Sequence, residues 1–199
     1  MVSLGGNNDQ KAFQQYCDEL EQKSGKKLIQ LTGIRSCDGC TACCKTHAVS
    51  EAHTRAGELC QFAIVEKGCG IYGKHPFQCR LYACWWLRGK GEESDRPDRL
   101  KIVMDDREIS VNDQEIGLIN LHEVEPGAVH QPRVQQITTA ILKQGYVVCH
   151  WLLLAEEEHP HKYERYERRY YFPNGMFTDA EEEIFVQQAE KGSLTRLGQ

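Results

Sequence analysis

Eight of the ten cysteines, Cys37, Cys40, Cys43, Cys44, Cys60, Cys69, Cys79 and Cys84, fall in one short stretch, and only Cys17 and Cys149 lie outside it. A stretch so rich in thiols is shaped either by disulfides or by ligation. The opening Met-Val-Ser-Leu-Gly-Gly-Asn-Asn has no basic patch followed by an apolar run, so no signal peptide is expected and the chain reads as cytoplasmic. In a reducing compartment the same cysteine density reads as metal binding or redox chemistry.

Within Cys37-Asp38-Gly39-Cys40-Thr41-Ala42-Cys43-Cys44, three cysteines step at every third residue and a fourth is vicinal. A loop with Cys at every third position can turn three thiolates toward one centre, as the cysteine-rich loop of bacterial ferredoxins does for three corners of a cubane. The ferredoxin run continues with a spaced Cys-Pro, which this one lacks. A tetrahedral zinc site is equally available, because a Cys-x2-Cys knuckle plus a distant pair is the commonest zinc arrangement. Adjacent cysteines direct their side chains apart, so Cys43 and Cys44 should not chelate one mononuclear ion. The other four, Cys60, Cys69, Cys79 and Cys84, suffice to complete two four-cysteine sites, or one cluster with spare thiols. His47, His53 and His75 are candidate substitutes at one position, although an imidazole more often serves at the surface or in a hydrogen bond.

Charge agrees with ligation. From Ser36 to Gly91 the seven cations Lys45, Arg55, Lys67, Lys74, Arg80, Arg88 and Lys90 outnumber the four acids Asp38, Glu51, Glu58 and Glu66, giving 7 - 4 = +3, while the chain as a whole is at -5. Cations near thiols favour the thiolate. The overall acidity and the absence of a basic face argue against nucleic acid as a partner. No segment approaches the roughly 20 apolar residues that span a bilayer, so no membrane is expected either. The expected ligand is a metal ion or cluster.

The run CDGCTACC, the next cysteine and GCGIYGKHPFQCRLYACWW resemble the CxxCxxCC cysteine-cluster family of zinc- or iron-chelating proteins. The resemblance covers about residues 36 to 87. All eight cysteines, Ile71-Tyr72, Pro76 and Arg80 fall in order, while His75 stands where relatives have Arg. It implies metal chelation, iron before zinc. Some members of that family are similar to flagellin lysine methylases, which are longer, and no glycine-rich nucleotide loop follows a strand here.

The fold class expected is α+β. Residues 1–35 should hold a helix from Asp9 to Lys23 with Cys17 on its buried face, and 36–91 an irregular, metal-organised cysteine lobe. Residues 99–155 should form a small sheet-and-helix lobe. Leu100, Ile102 and Met104 alternate as one strand and Ile116, Leu118 and Leu121 mark a second. Glu125-Pro126-Gly127 supplies a turn, Val134, Ile137, Ile141 and Leu142 share a helical face, and the apolar run Tyr146 to Leu154 reads as a central strand. Residues 156–199 read as a charged extension ending in a helix, capped by Thr178 and Glu181 and running to about Lys191.

Four weaker features complete the survey. Trp85-Trp86 should plug the two lobes together or shield a cluster from water. Asp105, Asp106, Glu123 and Glu125 are a possible hard-ion site, but strand ends favour solvated turns. The tract Lys162 to Tyr171 mixes basic and aromatic residues, and its glutamates make it a salt-bridged face. No Ser-His-Asp set is present, so the catalytic residues are unknown. The expected cofactor is an iron–sulfur cluster, such as a 4Fe-4S centre, or zinc on the eight cysteines 37, 40, 43, 44, 60, 69, 79 and 84. An enzyme that uses the cluster, and an interaction module with structural zinc, are the alternatives.

Overall fold

A computed structural model of the chain describes residues 35–155 and 165–197. The helix expected at Asp9 to Lys23, with Cys17, lies outside them. Between Arg35 and Arg96 the elements are short: α1 (Cys43–Thr46), a two-stranded hairpin of β1 (Ala63–Ile64) and β2 (Gly68–Cys69), and α2 (Phe77–Leu81). Glycine explains how this chain folds so closely on itself. Gly39 has φ +73, and a Cβ there would stand 2.9 Å from the Glu66 carbonyl oxygen, so the Cys37–Cys40 turn can press on the hairpin only without a side chain.

Regular structure begins at α3 (Pro97–Leu100). Leu100, expected to open a strand, instead closes this turn: Pro97 starts it with its φ already set, and Lys101 ends it in the left-handed region. β3 (Ile102–Val111) and β4 (Gln114–Glu123) then form a ten-residue hairpin. Its two-residue turn, Asn112-Asp113, has positive φ at both positions, the backbone twist that matches paired strands. α4 (Pro132–Lys143) crosses over to β5 (Val147–Leu153), which lies parallel to β4, and β6 (Tyr166–Tyr171) closes the sheet antiparallel to β5. The order is β3-β4-β5-β6.

Alternation sorts the strand residues onto two faces. On one, Ile102, Met104, Ile119, Leu121 and Val148 bury against Val134 and Ile141 of α4. On the other, Ile109, Val111, Leu118, Val147 and Cys149 bury against Phe185 and Ala189 of α5 (Asp179–Leu197). Thr178 and Glu181 form the expected capping box, with the Thr178 amide and hydroxyl each donating to the Glu181 carboxylate at 2.8 Å. The helix continues to Leu197, past the Lys191 expected. Residues 166–171 and 179–197, read from sequence as a charged extension, thus complete the sheet and cover one face. Arg168 pairs with Glu190 and Arg169 with Glu167, which accounts for the mixed charges.

The cysteine segment shares that second face. Ala42, Cys84 and Trp86 pack on Val103. The Trp85 amide donates to the Met104 carbonyl at 2.8 Å, so residues 84–86 run along the free edge of β3. Cys84 and Trp86 therefore turn to one face and Trp85 to the other, where it meets the α4 core. Of the two roles considered for the tryptophans, Trp85 takes the plug and Trp86 stands among the cysteines. No helix among the described residues is long and apolar enough to cross a membrane.

Candidate metal centres

The eight cysteines sort by position into two groups. Cys37, Cys40, Cys43 and Cys84 line one small cavity with Trp86, Leu87, Pro97 and Val103. The turn that carries Cys37 and Cys40 is closed by a 2.8 Å bond from the Cys40 amide to the Cys37 carbonyl, and Cys43 opens α1. Cys44, next on that helix, turns toward the hairpin. Its carbonyl accepts from the Cys60 amide at 2.9 Å, Cys69 ends β2, and Cys79 lies in α2.

The thiols of each group feel one another. Burial pushes the Cys37 thiol up to about 12, with Cys84, Cys40 and Cys44 adding to it and Arg96 opposing. Burial also raises Cys40, with Asp98 adding to it, and Cys84, with Cys40 adding to it, and backbone amides offset each in part. In the second group burial pushes Cys79 up to about 11, helped by Cys44, Cys60 and Cys69, and Cys69 is raised by burial, Cys44 and Cys60. The groups meet at the vicinal pair: the Cys43 thiol donates to Cys44, so Cys44 falls to about 7 and Cys43 rises well above the thiol range. Gathered thiolates would repel one another, a cost that a bound cation removes. None of the nine described cysteines is in a disulfide.

Cys149 is separate. It is fully buried on β5, and burial pushes its thiol up to about 12, as for a small hydrophobe. His53 is exposed in a left-handed backbone turn, and His75 stacks on Tyr72 while its Nδ1 accepts from the Gly73 amide. Neither contact reaches a cysteine.

His47 leads elsewhere. It follows α1 directly, and its Nε2 lies 2.9 Å from Asp105 Oδ2, while Nδ1 meets Thr46 Oγ1 at 2.7 Å. His122 Nε2 stands 3.3 Å from the same Asp105 oxygen. Tyr82 donates to that oxygen at 3.2 Å and Asn120 to the other at 2.8 Å, and Trp151 Nε1 in turn donates to Asn120. Sheet register builds this: Asp105 pairs with Asn120, and Val103 with His122. Burial opposes ionisation of Asp105, but the two imidazoles outweigh it and hold the carboxyl well below the usual range. Burial lowers His122 despite that carboxylate.

Asp105 is therefore no solvated turn, which corrects the sequence expectation, because it faces inward from the middle of a covered strand. The same correction holds for Glu123, whose buried carboxylate accepts from the amides of Val129 at 3.0 Å and Leu153 at 2.9 Å. Asp106 takes the Trp85 indole N–H and Arg88, and Glu125 pairs with Lys101 at 3.0 Å. The four acids make no common site. No family model matches the chain, and no curated protein or solved structure matches it.

Proposed function

We propose that this protein chelates metal through its eight clustered cysteines, holding iron–sulfur clusters in two four-thiolate sites, Cys37, Cys40, Cys43 and Cys84 in one and Cys44, Cys60, Cys69 and Cys79 in the other. The observation that carries the reading is the cavity shared by Cys37, Cys40, Cys43 and Cys84, with Cys60, Cys69 and Cys79 gathered about Cys44, whose thiol also meets Cys43. Each group then offers the four thiolates that a cluster or a structural zinc takes.

The three-residue steps Cys37, Cys40 and Cys43 suit a cluster, whose corner irons each take one thiolate. Trp86, buried beside the first group with Arg35 and Arg96 over its ring, would exclude water from a cluster there and tune its potential. When bound, a cluster supplies one-electron chemistry, and the chain's own part is to ligate it and keep it dry.

Anaerobic purification followed by iron, sulfide and zinc analysis tests this. Iron with acid-labile sulfide is expected, with Cys40→Ser and Cys60→Ser each removing about half and Cys149→Ser none. A colourless protein holding stoichiometric zinc without sulfide replaces the cluster reading by a zinc one. Metal loss in Cys149→Ser shows that the ligand set was drawn wrongly.

A further inference from the structure

Outside the thiol groups, His47, Asp105 and His122 bring one potential ligand atom each within 4.8 Å of the other two, and among the described residues no other group of three does so. An ordinary hydrogen-bonded cluster would leave each imidazole with a partner. His122 fits that account poorly: its side chain is 5 % exposed, its Nδ1 has no hydrogen-bond partner, and its Nε2 meets Asp105 Oδ2 only at 3.3 Å, an oxygen already taken by His47 and Tyr82. A buried imidazole held between Trp151 and His47 with so little hydrogen bonding asks for a ligand.

We propose that His47 Nε2, Asp105 Oδ2 and His122 Nε2 bind one divalent first-row metal ion, a third centre separate from the thiolates. Two atoms bound at right angles to an ion about 2.1 Å away stand roughly 3 Å apart. The distances from Asp105 Oδ2, 2.9 Å to His47 and 3.3 Å to His122, match that spacing. Two imidazoles and one carboxylate with the remaining positions open form the donor set that suits iron(II), and manganese(II) accepts the same ligands. The surroundings are those of a metal site. Asn120 fixes the far oxygen of Asp105 and is itself fixed by Trp151, while Thr46 Oγ1 can accept the Nδ1 proton of His47 and so leave Nε2 free for the ion. His47 and Asp105 keep 23 % and 19 % of their side-chain exposure, which gives the ion a path and leaves room for water as a further ligand.

Manganese(II) is the probe because it is hard and disfavours thiolate, so the cysteines do not compete for it. Titration of the anaerobically purified protein, followed by the electron paramagnetic resonance of free manganese(II), should show about one bound equivalent. His47→Gln and Asp105→Asn should each weaken binding at least tenfold, while the acid-labile sulfide content stays at its wild-type level. Asp105→Asn also disturbs the Asn120 and Tyr82 contacts. If it does not fold, His47→Gln at the half-exposed position decides alone, with its unfolding midpoint as the control. Wild-type binding weaker than about 1 mM, or equal binding by the wild type and His47→Gln, overturns the proposal. Because manganese binding does not need thiolates, failure of the cluster reading leaves this result standing, and failure here leaves the cluster reading standing.

Discussion

The segment from 35 to 96 and the sheet that follows it are held together by different means. In the sheet, Ile102, Val103, Leu118, Leu121, Val147, Val148 and Phe185 are all closed to water, and strands run up to ten residues. In the cysteine segment no helix exceeds five residues, strands are two residues long, and the buried apolar side chains among those described are Ala42, Ala52, Ala56, Cys84 and Trp86. Helices and hairpins of that size are unstable alone in water. One region is folded by its core. The other must draw on its contact with Val103 and on whatever its thiols bind.

Removal of the proposed metal is the most severe way to separate the two. Structural metal sites in small domains supply about 10–16 kcal/mol, nearly all of it folding free energy. In reduced, chelated protein, amide hydrogen exchange should show protection lost from Cys37 to Cys84 and kept over Ile102–Met104 and Val147–Leu153. Simultaneous loss in both regions would make them one cooperative unit. The converse experiment strikes the sheet. Phe185→Ala should lower global stability by about 3–5 kcal/mol through the cavity it opens under α5. The folded fraction should keep its full metal content, and metal loss at low denaturant would show that the core also supports the thiols.

The smallest effect comes from His150, on the opposite face of the sheet from Asp105 and His122. It meets Thr138 Oγ1 at 3.0 Å, and burial, then His130, lowers its pKa from 6.5 to about 4. Its folded pKa lies below the unfolded value, so the unfolded chain takes the proton first. Stability is full above about pH 6.5 and falls as the pH drops toward 4. At pH 4.5 the loss due to this residue should be on the order of 2 kcal/mol, allowing for residual hydration. Denaturation of wild type and His150→Gln at pH 7.5 and 4.5 measures it by difference, and equal pH dependence in the two would remove His150 as the cause.

Much of the sheet was legible because period-two and period-3.6 patterns are local. Ile102 and Met104 announced β3, the run from Tyr146 announced β5, and Val134, Ile137 and Ile141 announced α4. The part played by 166–171 and 179–197 was hidden by charge: Arg168 and Glu190 look solvated in sequence, yet they pair at the sheet's edge while Tyr166 and Phe185 turn inward. The cysteines were visible as a set but not as a partition, since sequence distance does not say which of Cys60, Cys69, Cys79 and Cys84 returns to which end of α1. His47, Asp105 and His122 form no motif. Only the register of β3 on β4 brings the last two together, and the one available signal was polar Asn120 and His122 set among the apolar residues Leu118, Ile119 and Leu121.

The path of residues 84–86 along the edge of β3 also fixes an order in time. A ribosome finishes all eight clustered cysteines before it makes the strand on which Cys84 and Trp86 rest, and Tyr171, the end of the last strand, follows Cys84 by 87 residues (171 - 84). At translation rates of about 5–20 residues per second that gap is roughly 4–17 seconds. During it the thiols face the cell without the wall that later encloses them, so metal supply and oxidant compete for the nascent chain before the sheet can shelter it.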